Sequence, residues 1–324
     1  MYSPDPAPVS SGPRGGPISS RPSGWPRDDV MVAAIGNTPL VPLGTIAASA
    51  GGGFELWAKA EHLNPTGSVK DRTARGIVVD AISDGRLGPG RTLLDASSGN
   101  TAVAYAMLGA RLGFPVELVL PSNAHRSRVS RIRAYGANVV YTDPTDGTDG
   151  AQREARRRAT AQPDRYFYPD QYNNPSNPRA HYATTGPEIW SQVAGRLTHF
   201  VAGVGTGGTV SGISRFLKER NPAIQVIGVE PPGPLHGIEG LKHLPTALRP
   251  STYDEGLVDE TLRVETEDAL EMQRRLAREE GLSVGASAGA AVWASAQVGR
   301  AHPGAVVVTI LPDGGHEMLE ADRS

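Results

Sequence analysis

The sequence contains no cysteine. Disulfides, thiolate metal sites, a cysteine nucleophile and a cysteine-ligated haem are therefore all excluded. A chain without thiols fits a reducing compartment, and a cytoplasmic location is the expectation. It also lacks an excess of either charge. Lys plus Arg total 32 against 34 Asp plus Glu, a net charge of −2. That leaves no global field to draw nucleic acid or an anionic membrane surface. Nor does any apolar run approach the roughly 18 residues of a membrane span. Residues 1–26 are rich in Pro, Ser and Gly and have no apolar h-region, so they do not form a secretory signal. A disordered tail is expected over 1–27. What remains is a chain whose partner is a small molecule.

With 39% hydrophobic and 20% charged residues, 324 residues are enough for two α/β domains. Short apolar runs predict strands at 54–58, 92–94, 116–120, 139–141, 199–202, 226–229 and 306–311. Helical patterns fall between them at 69–83, 101–112, 127–135, 148–161, 209–219, 266–280 and 289–298. Such alternation argues for parallel sheets with helices on both faces. The strands do not alternate polar with apolar, as suits sheets buried on both sides. No internal repeat is present. The stretch 231–259 has no clear period and carries several Gly and Pro, which points to a functional or mobile segment.

Three turns carry the chemistry. His199-Phe200-Val201-Ala202 runs into Gly203-Val204-Gly205-Thr206-Gly207-Gly208-Thr209 and then a helix. Glycines let backbone N–H groups approach an anion, and the helix N-terminus adds about 0.3–1 kcal/mol per charge. No Lys or Arg lies in this loop, and no G-K-[ST] follows, so it is not a Walker motif. The competing reading is a tight strand–helix turn. In Asn64-Pro65-Thr66-Gly67-Ser68-Val69-Lys70-Asp71-Arg72, Ser68 is the expected N-cap and Lys70 falls in the first turn. There the helix dipole disfavours a cation, and burial would make the amine a nucleophile or base. The competing reading is a solvated surface lysine. Leu94-Asp95-Ala96 leads into Ser97-Ser98-Gly99-Asn100-Thr101, a hydroxyl-rich loop fit for a carboxylate or, alternatively, an N-cap cluster.

Taken together and in this order, the motifs resemble the fold-type II pyridoxal-5′-phosphate (PLP) enzymes, closest to cysteine synthase within the cysteine synthase and cystathionine β-synthase group. The resemblance starts at Ile35-Gly36-Asn37-Thr38-Pro39-Leu40 and continues through 64–72, 97–101 and Gln171-Tyr172-Asn173-Asn174-Pro175. It goes on through 205–209 and Gly285-Ala286-Ser287-Ala288-Gly289 and ends at Leu311-Pro312-Asp313-Gly314. It implies two doubly wound α/β domains, over 28–170 and 171–324, with the active site between them. It implies that Lys70 holds the cofactor as a Schiff base, that Gly205, Thr206, Gly207, Gly208 and Thr209 cradle its phosphate, that Asn100 meets the ring hydroxyl and that Ser287 meets the pyridine nitrogen. Ser97, Ser98, Gly99, Thr101 and Gln171 would bind the substrate carboxylate. The implied reaction is β-replacement on O-acetylserine or O-phosphoserine through an aminoacrylate, with a sulfur nucleophile, giving L-cysteine. Because Ser287 is neutral, elimination is favoured over transamination.

The implied assembly is a homodimer, and a sulfur-carrier protein is a possible donor. Alternatives are a cystathionine β-synthase-like condensation with homocysteine, a dehydratase, or an inactive paralogue that binds a partner. Relatives commonly have Gly where Ala102 stands, and the 233–243 segment departs from the usual pattern. Lys242, His243 and Arg249 there would favour a phosphorylated leaving group if they face the entrance. Other motifs read more plainly. His316-Glu317 lacks the second histidine of a zinc-protease motif, His236 and His243 belong to a loop, and Asp143, Asp146 and Asp149 read as turn chemistry. For the arginines at 126, 128, 131 and 133 a partner patch is the less favoured reading, and those at 153–158 read as a solvated helix face or an interface.

Overall fold

Runs of Val, Ile and Leu without alternation become strands covered on both faces. In Val306–Leu311 every residue is buried. The computed structural model describes residues 29–315; the expected tail and the His316-Glu317 pair lie outside them. The strands are β1 (Leu40–Pro42), β2 (Glu55–Ala60), β3 (Thr92–Ala96), β4 (Val116–Pro121), β5 (Asn138–Thr142), β6 (Tyr166–Phe167), β7 (His199–Gly203), β8 (Gln225–Glu230), β9 (Glu260–Arg263) and β10 (Val306–Leu311). They form a six-stranded sheet in the order β1-β2-β10-β7-β8-β9 and a four-stranded sheet in the order β5-β4-β3-β6. Only β1 runs antiparallel to its neighbour among the described strands.

Eleven helices accompany them among the described residues: α1 (Val30–Ala33), α2 (Gly44–Ser49), α3 (Lys70–Ser83), α4 (Asn100–Leu112), α5 (Arg126–Ala134), α6 (Gly147–Ala161), α7 (Ser176–Ala183), α8 (Thr185–Gln192), α9 (Gly208–Arg220), α10 (Thr266–Glu280) and α11 (Ala286–Ala301). The small sheet has α3, α4 and α5 on one face and the Ala151 and Ala155 face of α6 on the other. The large sheet has α2, α10 and α11 on one face and α8 and α9 on the other. This is the doubly wound α/β arrangement expected. Both sheets thus bury both faces, which explains the unbroken apolar strands.

Two results differ in detail from the sequence reading. Strands β1 and β2 lie within 28–170 in sequence yet pair into the large sheet, so that sheet draws on both parts of the chain. Helix α11 begins at Ala286 rather than at 289. Gly289 is an interior position where a Cβ would meet the Ala269 carbonyl of α10, so it marks close helix packing rather than a start.

A buried ion cluster ties α3 to β2 and α8. Arg72 pairs with Glu61 and Glu188, each at 2.7 Å, and the fully buried Lys59 pairs with Glu188 at 2.7 Å. Burial pushes the Glu188 carboxyl up, but Arg72 and Lys59 outweigh it and hold it at about 2.

Candidate active site

Ligands of parallel α/β sheets bind beyond the carboxyl ends of the strands. Here β3 runs into 97–99 and α4, β7 runs into 204–207 and α9, and β10 runs into Pro312-Asp313. These ends meet the start of α3 around one cavity of about 340 Å³. Its wall includes Lys70, Ser97, Ser98, Gly99, Asn100, Thr101, Gln171, Gly205, Thr206, Gly207, Thr209 and Ser287. Gly208 is the one predicted site residue outside that wall. It opens α9 with its back against Asn177 Oδ1, where no Cβ would fit. A larger depression of about 800 Å³ lies beside α7 and α9 but gathers none of these residues. Its charges, Arg215 with Asp254 and Arg249 with Glu255, neutralise one another.

Lys70 is the first residue of α3. The N-cap position belongs to Val69, in helical conformation, rather than to Ser68. The Ser68 hydroxyl still accepts from the Lys70 N–H at 3.2 Å, so it satisfies a donor of the first turn. The Val69 N–H donates to the Pro312 carbonyl at 2.7 Å, which pins this turn to the end of β10. Burial drives the Lys70 amine below its ordinary pKa, and Asp313 partly opposes this. Burial also pushes the neighbouring Asp71 up to about 6, while its carboxylate accepts from the Thr66 N–H at 2.7 Å and from the Thr66 hydroxyl.

The glycine turn is built for close approach. Gly207 has φ +82°, which glycine adopts without strain. On their outer sides Gly205 packs on the Gly240 carbonyl and Gly207 on Tyr253, leaving no room for a Cβ. Among the described residues, no protein group accepts from the amides of Gly205, Thr206 or Gly207. Two buried residues of α7 brace the turn. Asn177 Nδ2 donates to the Thr206 hydroxyl at 3.1 Å, and His181 Nε2 lies 3.2 Å from the Thr209 hydroxyl. Burial holds His181 well below the usual imidazole range, so it is neutral. These residues escaped the sequence reading; the polar run Ser176-Asn177 after Asn174-Pro175 was their only trace.

In the second loop, Thr101 Oγ1 donates to Gln171 Oε1 at 2.8 Å. Asn100 Nδ2 donates to Asp313 Oδ2 at 2.8 Å. The stretch 231–259 is irregular apart from one short turn, yet it is anchored. Lys242 N–H donates to the Val204 carbonyl at 2.9 Å, and Thr252 Oγ1 donates to the Thr206 carbonyl at 2.6 Å. Lys242 joins the cavity wall with its amine 4.8 Å from the Tyr172 ring centroid. His243 and Arg249 lie outside that wall, turned toward Thr246 and Glu255.

Most arginines of the remaining charged runs are engaged within the chain. Arg128 pairs with Glu239, Arg131 donates to the Thr66 carbonyl at 2.6 Å, and Glu154 pairs with Arg157 and Arg158. His236 Nδ1 accepts from the Ile238 N–H, and Asp143 caps Thr145. Among the described residues no cluster could hold a metal, and no helix is long and apolar enough to cross a membrane.

Comparison with known proteins bears on this geometry. The family model described as "Pyridoxal-phosphate dependent enzyme" matches residues 32–313. The chain belongs to that family. The enzyme is 49% identical over 296 residues to a cysteine synthase of Aquifex aeolicus, covering 90% of each chain. Its fold matches a cysteine synthase of Entamoeba histolytica with TM-score 0.86 and 33% identity, over 94% of each chain. It matches an O-acetylserine dependent cystathionine beta-synthase of Helicobacter pylori with TM-score 0.84 and 34% identity, over 90% of this chain and 97% of that one. The fold is that of the fold-type II PLP enzymes, and PLP is the cofactor. The cavity fits it: the half-buried Lys70 amine shares its wall with a turn of amides that no described protein group engages.

Proposed function

We propose that this enzyme performs β-replacement on an activated L-serine, O-acetylserine or O-phosphoserine, with a sulfur nucleophile, to give L-cysteine. One observation carries the reading: a single cavity gathers the half-buried Lys70 amine, the glycine turn and the hydroxyl loop. The relatives named cysteine synthase support the same chemistry.

Lys70 would hold the cofactor covalently, Gly205 to Thr209 its phosphate, Asn100 its ring hydroxyl and Ser287 its pyridine nitrogen. Bound PLP supplies an electron sink next to the α-carbon of the amino acid. Ser97, Ser98, Gly99, Thr101 and Gln171 would orient the substrate carboxylate through fixed donors. The Thr101–Gln171 bond sets the spacing between the two sides of that grip. Once free, the Lys70 amine, its pKa lowered by burial, would take the α-proton as general base. The neutral Ser287 hydroxyl does not hold a proton on the ring nitrogen as a carboxylate would. Such a partner would favour loss of the β-substituent over amino-group transfer.

Lys242 on the cavity wall supports a phosphorylated leaving group. Sulfide is the simplest nucleophile; a sulfur-carrier protein is another. The expected setting is a cytoplasmic homodimer of two units divided near residue 170, with β1 and β2 crossing to the second. A second reading, condensation with homocysteine, is favoured by the likeness to the H. pylori enzyme.

The test is to add each activated serine to the pure holoenzyme, record the visible spectrum, then screen sulfide, thiosulfate and homocysteine by mass spectrometry. The spectral change is expected with one activated serine before any nucleophile is added. The Lys70→Ala variant should lose the cofactor's visible band and roughly 10³-fold or more of turnover. Full activity in that variant, or a colourless pure protein, would end the reading.

A further inference from the structure

The glycine turn 204–209 carries no Lys or Arg, so an anion there depends on neutral donors. What aims those donors lies behind the turn. Asn177 in α7 is fully buried, and its amide is engaged at both ends. Nδ2 donates to the Gln171 carbonyl at 2.9 Å and to the Thr206 hydroxyl at 3.1 Å, while Oδ1 accepts from the Thr73 hydroxyl at 3.1 Å. A carbonyl can only accept, so the Gln171 contact settles which end of the amide is nitrogen. That nitrogen can only donate, so the Thr206 oxygen is the acceptor between them. The Gly208 N–H donates to the same oxygen at 3.4 Å. Both lone pairs of the hydroxyl are then in use. Its proton has no acceptor among the described residues, and Thr206 lines the cavity.

The same logic runs one residue further. The single Thr73 proton goes to Asn177, so His181 Nε2, 3.3 Å from the Thr73 oxygen, is the donor there. Its Nδ1 then accepts from the Thr185 hydroxyl at 3.0 Å. Nε2 also lies 3.2 Å from the Thr209 hydroxyl, which leaves that proton for the cavity as well. We propose that Asn177 is a positioning residue that sets the polarity of the glycine turn. It holds the Thr206 hydroxyl with its proton turned into the cavity, where the PLP phosphate would be the acceptor. An untethered hydroxyl rotates and spends its proton on the nearest oxygen. Held in this way it is a donor before the anion arrives, so binding pays no cost of reorienting it. The Gln171 contact ties the same amide to the carboxylate grip, and the Thr73 contact ties it to α3 one turn beyond Lys70.

The inference rests on the turn being the phosphate cradle, and the test separates the two. The full-length chain, freed of cofactor, is titrated with PLP by fluorescence. Asn177→Asp keeps the shape but replaces the donor with an acceptor that claims the Thr206 proton. It should weaken PLP binding roughly 10–100-fold, the worth of a hydrogen bond to a charged group. The new carboxylate also repels the phosphate, so the substitution is repeated in Thr206→Val, which has no hydroxyl to turn. There its cost should be about tenfold smaller. Repulsion or a general disturbance of α7 would cost the same in both backgrounds, and that result overturns the proposal. Asn177→Ala, scored by the same cycle, serves if the carboxylate variant misfolds; urea melts of the cofactor-free chains report folding. A Thr206→Val chain with wild-type affinity for PLP sinks the reading of the turn as the cradle. A weakened Thr206→Val chain with no coupling to residue 177 sinks Asn177's role alone.

Discussion

Asp95 closes β3 just before the hydroxyl loop. One of its oxygens accepts from the Ala96 N–H at 2.8 Å, and the other is buried with no partner among the described residues. The Tyr105 hydroxyl is in the same position. Burial pushes Asp95 up to about 7. A folded-state value above the ordinary 3.8 means that the folded chain binds more protons in that window. The stability this contributes is full below 3.8 and is lost as pH rises through 7. The shift is equivalent to about 4 kcal/mol at most. Asp95→Asn keeps the acceptor and cannot ionise. Urea melts should therefore find it 1–4 kcal/mol (roughly) more stable than wild type at pH 8 and close to wild type at pH 4. Equal stability at pH 8 would count against a buried ionisable Asp95. At this scale the place of Lys70 on the cavity wall was legible from the ordered motifs together, since the lysine alone also fits a solvated surface residue. Asn177 was not, because its partners are far away in sequence and no local pattern marks it; Asp313 stood in a motif of the resemblance, but its bond to the distant Asn100 did not show.

Among the elements, α7 does the most to join the site. It packs between α3, through Gly76 beside Ala180, and α9, through Gly212 beside the Pro178 carbonyl. Gly212 has no space for a methyl group there, and the obstructing atom is backbone. Gly212→Ala should cost about 1–3 kcal/mol by overpacking. It should also weaken cofactor binding, since pushing α7 aside moves Asn177 and His181 from the glycine turn. Gly88→Ala, where a Cβ meets nothing, is the control. Fluorescence titration with PLP and urea melts read both effects; loss of stability with unchanged affinity would separate α7 from the turn. The long apolar strands and periodic helices were legible. Helix α7 was not, because Ser176, Asn177 and His181 are its buried residues and Pro178 interrupts any pattern. Proline is tolerated there because it lies in the first turn. The short strands β1, β6 and β9 gave too few residues for a period.

For the whole molecule, the cavity draws its walls from both sheets. A ligand that binds only when both are in place stabilises the folded chain by mass action. Free PLP at a hundred times its Kd should add about 2.7 kcal/mol. Calorimetry should show Tm rising with cofactor concentration, and the gain should vanish in Lys70→Ala if the covalent bond supplies it. An unchanged Tm on cofactor removal would contradict a site shared between the sheets.

The order of strands in the large sheet also governs when the protein becomes competent. The small sheet is complete once residue 167 has been synthesised. The large one is not, because β10 is inserted between β2 and β7 and is the last of the described strands to be made. Until then β2 lacks its parallel neighbour, and Pro312 and Asp313 of the cavity wall have not been made. The pocket takes Ile310, Pro312 and Asp313 from that strand and its end, so it has no finished wall before β10 is in place, however early Lys70 emerges.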